Sequence, residues 1–229
     1  LIHYMIPVCE KMWNQQAQLN LPSYFFFVKL LKHEPMSDEY LSAQLEMAGL
    51  SDMTHFKLVM MDVDENVEPS RARMTIRAAS SLNDGAALCF PYQSHVLALL
   101  FAGTVDGRLS HSRTSAELTE RIFTPLGIVS GVSSVFTDIT DLDQAFKQAV
   151  IALGFRSSIA REQFAAEGAD NTQTRGVYLF EDALLYYLID PSDKDSRFIE
   201  FTFSTSITAI LYREDLANGT NYLALMWFY

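Results

Sequence analysis

At 229 residues, 49% of them hydrophobic, the chain has enough apolar material for a sizeable core in one large or two small domains. Its formal net charge of -11, with basic residues never clustered beyond pairs such as Arg71 and Arg73, repels phosphate backbones and argues against nucleic-acid binding by this segment. The best apolar run, Val96 to Ala102, is about a third of the ~20 residues a membrane span needs, no secretory signal is legible, and two distant cysteines, Cys9 and Cys89, fit reduced thiols in a cytoplasm better than a disulfide framework or a zinc site.

In chain order, residues 6–19 read as a helix with Pro7 at its first position, where the missing N–H costs nothing. A second helix follows Pro22; Phe25, Phe26, Phe27, Val28, Leu30 and Leu31 make it apolar around most of its girth, so it is expected to be largely buried, and His33-Glu34-Pro35 stops it. Ser37 caps a third, through Tyr40, Leu41, Leu45 and Ala48, ended by Gly49. The near-continuous apolar run Phe56 to Val63 reads as a central strand. A helix is expected from about Pro69 to Leu82, with Met74, Ile76 and Ala78 apolar, then a turn at Asn83-Asp84-Gly85. Ala86 to Phe90 and His95 to Phe101 form a hairpin around Pro91-Tyr92-Gln93-Ser94, and Arg113 to Phe123 is a helix.

From Gly127 to Phe155 the pattern is strand, turn, helix. Ile128, Val129, Val132 and Val135 are β-branched strand formers, and Asp138-Ile139-Thr140 is turn chemistry. Leu142, Ala145, Phe146, Ala149, Val150 and Leu153 make one apolar stripe, backed by Asp143, Gln144, Lys147 and Gln148 as a polar face. Thr140 or Asp141 can cap this helix, and Gly154 can end it. Residues 156–175 read as a frayed helical extension and a polar loop, Val177 to Phe180 as a last strand, and Glu181 to Ile189 as a helix. At Phe198 to Ser204 alternation permits a strand, with Thr and Phe in favour of it.

The residues Gly127-Ile128-Val129-Ser130, Phe136, Leu142, Ala145-Phe146, Gln148-Ala149 and Ala152-Leu153 resemble the regulator domain of PucR/CdaR-type bacterial transcription factors, a degenerate GGDEF-like domain. The run Phe25 to Leu50 is similar to the two short helices before that domain's first strand. The resemblance spans roughly residues 22–229 and implies an α+β fold: a GGDEF-like, ferredoxin-related, antiparallel-rich sheet flanked by helices, with N- and C-terminal helical segments. It divides the chain into a helical segment or linker at 1–50, the regulatory domain at 54–180 and a C-terminal helical segment at 181–229. It also implies a helix from Phe198 to about Leu211, a turn at Asn218-Gly219 and a helix from Thr220 toward a helix-turn-helix. With Leu1 in place of methionine and Trp227-Phe228-Tyr229 inside an amphipathic pattern, a fragment lacking that DNA-binding module is expected. The implied partners are a second copy of the chain and an unidentified small effector, with no membrane.

The residues that could carry chemistry are few. Asp62 and Asp64, at the end of the first strand, match where the resembled cyclases hold Mg²⁺ for GTP, but the metal needs a second acid and glycines from the following hairpin. Here that hairpin is Phe90-Pro91-Tyr92-Gln93-Ser94-His95, with neither, and Pro91 and Tyr92 are expected to fill the nucleotide's space. Ala86 to Cys89 also lacks the Arg-x-x-Asp of a cyclic-dinucleotide receptor. Ser130 and Ser133 lack the G-x-S-x-G spacing of a hydrolase elbow. His3, His33, His55, His95 and His111 show no metal-ligand spacing, and Glu117 and Glu120 read as a hydrated helix face. Because members of the resembled family answer to sugar diacids or purine catabolites, the resemblance makes Arg156, Arg161 and Arg175 the candidates to face a carboxylate effector. The sequence therefore assigns no catalytic, cofactor-binding or metal-binding residue and reads as a non-enzymatic signal-relay domain; the alternative is a GGDEF-related nucleotide-binding or cyclase-type domain.

Overall fold

The computed structural model describes residues 21–63, 69–104, 107–159, 176–190 and 195–205, with 211, 214–215 and 217–221. The expected helix at 6–19 and the expected C-terminal helix beyond residue 221 lie outside the described residues, as does most of the loop at 156–175. Among the described residues five strands form one mixed sheet in the order β2-β3-β1-β4-β5. They are β1 (His55–Asp62), β2 (Ala87–Tyr92), β3 (His95–Ala102), β4 (Ser130–Val132) and β5 (Val177–Leu179). Only β4 and β5 run parallel; β1 pairs antiparallel with both β3 and β4, which makes it the central strand.

Period-2 alternation sorts the central strands onto two faces. Phe56, Leu58 and Met60 of β1, Phe90 of β2, and Leu97 and Leu99 of β3 enter one core. Val59, Met61, Cys89, Val96, Ala98 and Leu100 enter the other. The first face is covered by α1 (Leu21–Leu31), α5 (Leu142–Gly154), α6 (Phe180–Ile189) and α7 (Ser196–Thr205), which bury Phe26, Phe27, Leu30, Ala149, Phe180, Phe198 and Phe201. The second face is covered by α3 (Pro69–Ala79) and α4 (His111–Leu118), the latter running on through a π turn at Thr119–Phe123. A shorter helix, α2 (Asp38–Met47), is capped by Ser37, whose hydroxyl accepts the Tyr40 N–H.

Several elements differ from their sequence pattern for identifiable reasons. Phe25 points outward, 58% exposed, so α1 has a free side after all. In α3 the buried positions are Thr75 and Ala79, and Met74 is exposed; Thr75 turns its hydroxyl back onto the Arg71 carbonyl, 2.9 Å away, and so enters the core satisfied. Pro91 and Tyr92 belong to β2, paired with Val96 and His95, and the hairpin turn is only Gln93-Ser94, with Gln93 at φ +53°. Residues 83–85 are all left-handed, a strained run held by Glu117 as described below. Asp138, not Thr140 or Asp141, caps the entry to α5: its carboxylate accepts the Thr140 N–H at 2.9 Å.

The polar back expected of α5 is also buried. Asp143, Gln144 and Gln148 are covered because α7 packs there, while Val150 of the expected apolar stripe is exposed. Arg197 of α7 donates to Asp143 (3.0 Å) and Asp141 (3.1 Å). On the sheet side, Gly131 of β4 lets α5 approach: a Cβ there would lie 2.2 Å from the Ala149 carbonyl oxygen. The segment from Phe198 is helical, as the resemblance implied, with Phe198 and Phe201 buried on one side and Glu200 outside.

Candidate functional site

The strand-end position comes first. Asp62 closes β1, its N–H donating to the Val129 carbonyl at 3.0 Å. Directly across the pair stands His95, with Nδ1 3.6 Å from an Asp62 carboxylate oxygen. Asp64 lies outside the described residues. From the hairpin no second carboxylate reaches Asp62, because residues 90–95 contain none. The hairpin packs against helices: Phe90 stacks on Phe27 of α1 at 5.3 Å between ring centroids, and Tyr92 meets Phe146 of α5 edge-on at 5.4 Å. Among the described residues no group of three or more His, Cys, Asp or Glu is arranged to hold a metal ion.

A second polar cluster lies under the other face of the sheet. Lys57 is the one charged residue in the run Phe56 to Met61, and alternation drives it into the aliphatic core, where it is fully buried. Its ammonium donates to the Leu109 carbonyl at 2.7 Å, and Nζ lies 3.3 Å from Nδ1 of His111, the first residue of α4. Burial lowers the Lys57 pKa to about 7, with the Glu181 carboxylate opposing the shift. His111 is lowered to about 4, by burial and then by the Lys57 charge. Glu181, at the start of α6, accepts from the Ser134 hydroxyl at 2.8 Å. The Ser134 N–H donates to Gln148 Oε1 at 2.9 Å, and Gln148 Nε2 donates to Thr205 at 3.2 Å. Two hydrogen-bonded sets result, Leu109–Lys57–His111 and Glu181–Ser134–Gln148–Thr205, and the Glu181 carboxylate acts on Lys57 through its charge.

Beside His111, between α4 and β5, opens a groove of about 500 Å³. Its polar walls are His111, Ser112, Ser115, Thr119, Glu120 and Asp182, and Val177 and Leu179 of β5 supply apolar surface.

The GGDEF-like domain family model matches residues 33–155, more than half of the chain. The chain belongs to the GGDEF-like domain family. A crystal structure of a regulator of polyketide synthase expression from Bifidobacterium adolescentis is similar over 85% of this chain and 76% of that one, at 15% identity and a TM-score of 0.40. No curated protein matches the chain.

Within this GGDEF-like domain the other residues singled out by sequence stay apart. Ser133 is a structural hydroxyl, accepting the Leu58 N–H at 2.9 Å and donating to the Ser134 carbonyl at 2.8 Å. Ser130 is a buried strand residue. His33 ends α1 at φ +53°, and His55 bonds Thr54, so these two join neither cluster; His3 lies outside the described residues. Glu117 is not a hydrated surface acid: its carboxylate accepts the Asn83 N–H (2.6 Å) and Arg113 Nε (2.8 Å) and so clamps the left-handed turn to α4. Glu120 does face the groove. Arg156 donates to the Leu153 carbonyl at 3.2 Å, and Arg161 and Arg175 lie outside the described residues. Sequence reasoning passed over Lys57 and weighed His111 only as a metal ligand. The signal was present: a lysine at a core-facing position of a central strand must find partners, and these come from Leu109 and from the N-terminus of α4.

Proposed function

We propose that the chain is the non-catalytic regulatory part of a bacterial transcriptional regulator of the PucR/CdaR type, passing an effector or assembly signal to its flanking helical segments. The observation that carries this reading is the hairpin: in a GGDEF-like domain, the place where a cyclase needs glycines and an acid is occupied by Phe90-Pro91-Tyr92, packed on α1 and α5. Glycine lets backbone approach a nucleotide and two carboxylates hold its metal; a proline and two aromatic rings supply neither. In this proposal residues 54–180 are the regulatory domain, 1–50 an N-terminal helical segment and 181–229 the C-terminal helical segment. The protein works as a homodimer in the cytoplasm and answers to a small effector. DNA contact is assigned to a helix-turn-helix of the kind found in that family and not to residues 1–229, whose net charge of -11 opposes it.

Prolonged incubation of the chain with GTP and Mg²⁺ or Mn²⁺ tests the non-catalytic reading. No cyclic dinucleotide and no loss of GTP are expected. Turnover that disappears in Asp62→Ala would replace this reading with the cyclase one.

A further inference from the structure

The hydrogen bond between Lys57 and His111 can be made in two ways, and the choice is felt in the groove. A lysine ammonium has three donors and no acceptor, so while Lys57 is charged the His111 Nδ1 must accept. The imidazole proton of neutral His111 then sits on Nε2, across the ring from Lys57, on a residue that lines the groove. An uncharged amine keeps two N–H donors, one of them for the Leu109 carbonyl, and gains a lone pair to which Nδ1–H can donate in place of accepting the other. Nε2 is then a bare acceptor.

We propose that Lys57 and His111 form a proton switch in the wall of the groove between α4 and β5, turning the face His111 offers a ligand from donor to acceptor. One proton leaves Lys57 Nζ for solvent, the imidazole proton moves from Nε2 to Nδ1, and the net change is release of one proton. The groups that act on the pair come from every side. Glu181 at the start of α6 stabilises the ammonium, His111 faces it from α4, and Leu100, its partner on β3, is apolar. Glu120 and Asp182 share the groove with His111. Burial and Glu181 leave the lysine balanced at about 7, while His111, at about 4, stays neutral through the change and alters only its tautomer. Below the midpoint the groove wall suits a carbonyl or carboxylate acceptor; above it, an ammonium or amide donor. The switch is independent of whether the domain serves a transcriptional regulator.

Two-bond ¹H–¹⁵N correlation spectra of the ¹⁵N-histidine-labelled chain, recorded across neutral pH, read the His111 tautomer directly. The expected result is Nε2–H at low pH and Nδ1–H at high pH, with one midpoint shared by His111 and the Lys57 ¹³Cε resonance. Lys57→Met should hold a single tautomer at every pH. Glu181→Gln, which keeps the Ser134 hydrogen bond but removes the charge, should move the midpoint down by at least about half a pH unit. This variant also decides the matter if Lys57→Met does not fold. A single His111 tautomer throughout in the unaltered chain, a switch that survives Lys57→Met, or a midpoint unmoved by Glu181→Gln overturns the proposal.

Discussion

The two faces of the sheet are built from different chemistry. The face under α1, α5, α6 and α7 is aromatic: Phe26, Phe27, Phe56, Phe90, Phe136, Phe180, Phe198 and Phe201 are all buried in it. The face under α3 and α4 buries aliphatic side chains, methionine and cysteine, with no aromatic among its described buried apolar members, and it encloses Lys57. Large rings contribute much apolar area and specific edge contacts, so the first face is where stability is concentrated. The second is thinner in apolar volume and holds an ionisable group poised near neutrality. Mutations on the first face should therefore change stability at every pH, and those on the second should change how stability depends on pH.

The largest effect is expected where the aromatic face is closest packed. Gly131→Ala places a methyl 2.2 Å from the Ala149 carbonyl oxygen and 2.9 Å from Leu153 Cγ. The obstacle is helix backbone and cannot rotate aside, so α5 must lift from β4. A loss of about 3 kcal/mol or more is expected in chemical denaturation. A loss below about 1 kcal/mol would mean that α5 is free to shift and that this face is not the rigid one.

The second face predicts a slope. Burial lowers Lys57 from its ordinary 10.5 to about 7 in the folded chain, so between these values the unfolded chain binds more protons than the folded one. Stability must then rise with pH across that window. His111, lowered from 6.5 to about 4, gives the same sign in its own window. Buried Cys89, raised from 9.0 to about 12, has the opposite sign above pH 9, because there the folded state keeps its proton. The clean interval is therefore pH 7 to 9, where stability should increase by about 2 kcal/mol. Denaturation midpoints at matched ionic strength check it, and Lys57→Met should flatten the curve. A flat curve in the unaltered chain would mean that folding does not lower the proton affinity of Lys57.

The same contrast explains what could be read from the sequence. The central strand, the hairpin, the Ser37 cap and the apolar side of α5 were legible because each is written in local periodicity or turn chemistry. The burial of Asp143, Gln144 and Gln148 was not, since it depends on α7 arriving from more than 50 residues away with Arg197 and Thr205 as partners. Nor was the hairpin register: Pro91 reads as a strand breaker, yet on β2 it has a neighbour on one side only and gives up no hydrogen bond there. The Lys57 cluster was half legible, because the lysine's burial follows from alternation but its partners come from segments distant in sequence.

The smallest of these effects lies at the rim of the aromatic face. A helix stripe containing Phe146 suggests a fully buried ring, for which truncation to alanine typically costs about 3–5 kcal/mol. The ring is only partly buried and packs edge-to-face with Tyr92, itself partly exposed on the hairpin. Part of its surface is wet in the folded state, so Phe146→Ala should cost about 1–2 kcal/mol. Phe136→Ala, removing a ring buried between Phe56 and Phe201, should cost about 3–5 kcal/mol. A double-mutant cycle with Tyr92→Ala separates the contact from the burial: an edge-to-face pair of this kind couples by about 0.5–1.5 kcal/mol. Additive losses from Phe146 and Tyr92 would show that the two rings only share the rim, leaving the hairpin held to the helices by the Phe90–Phe27 stack.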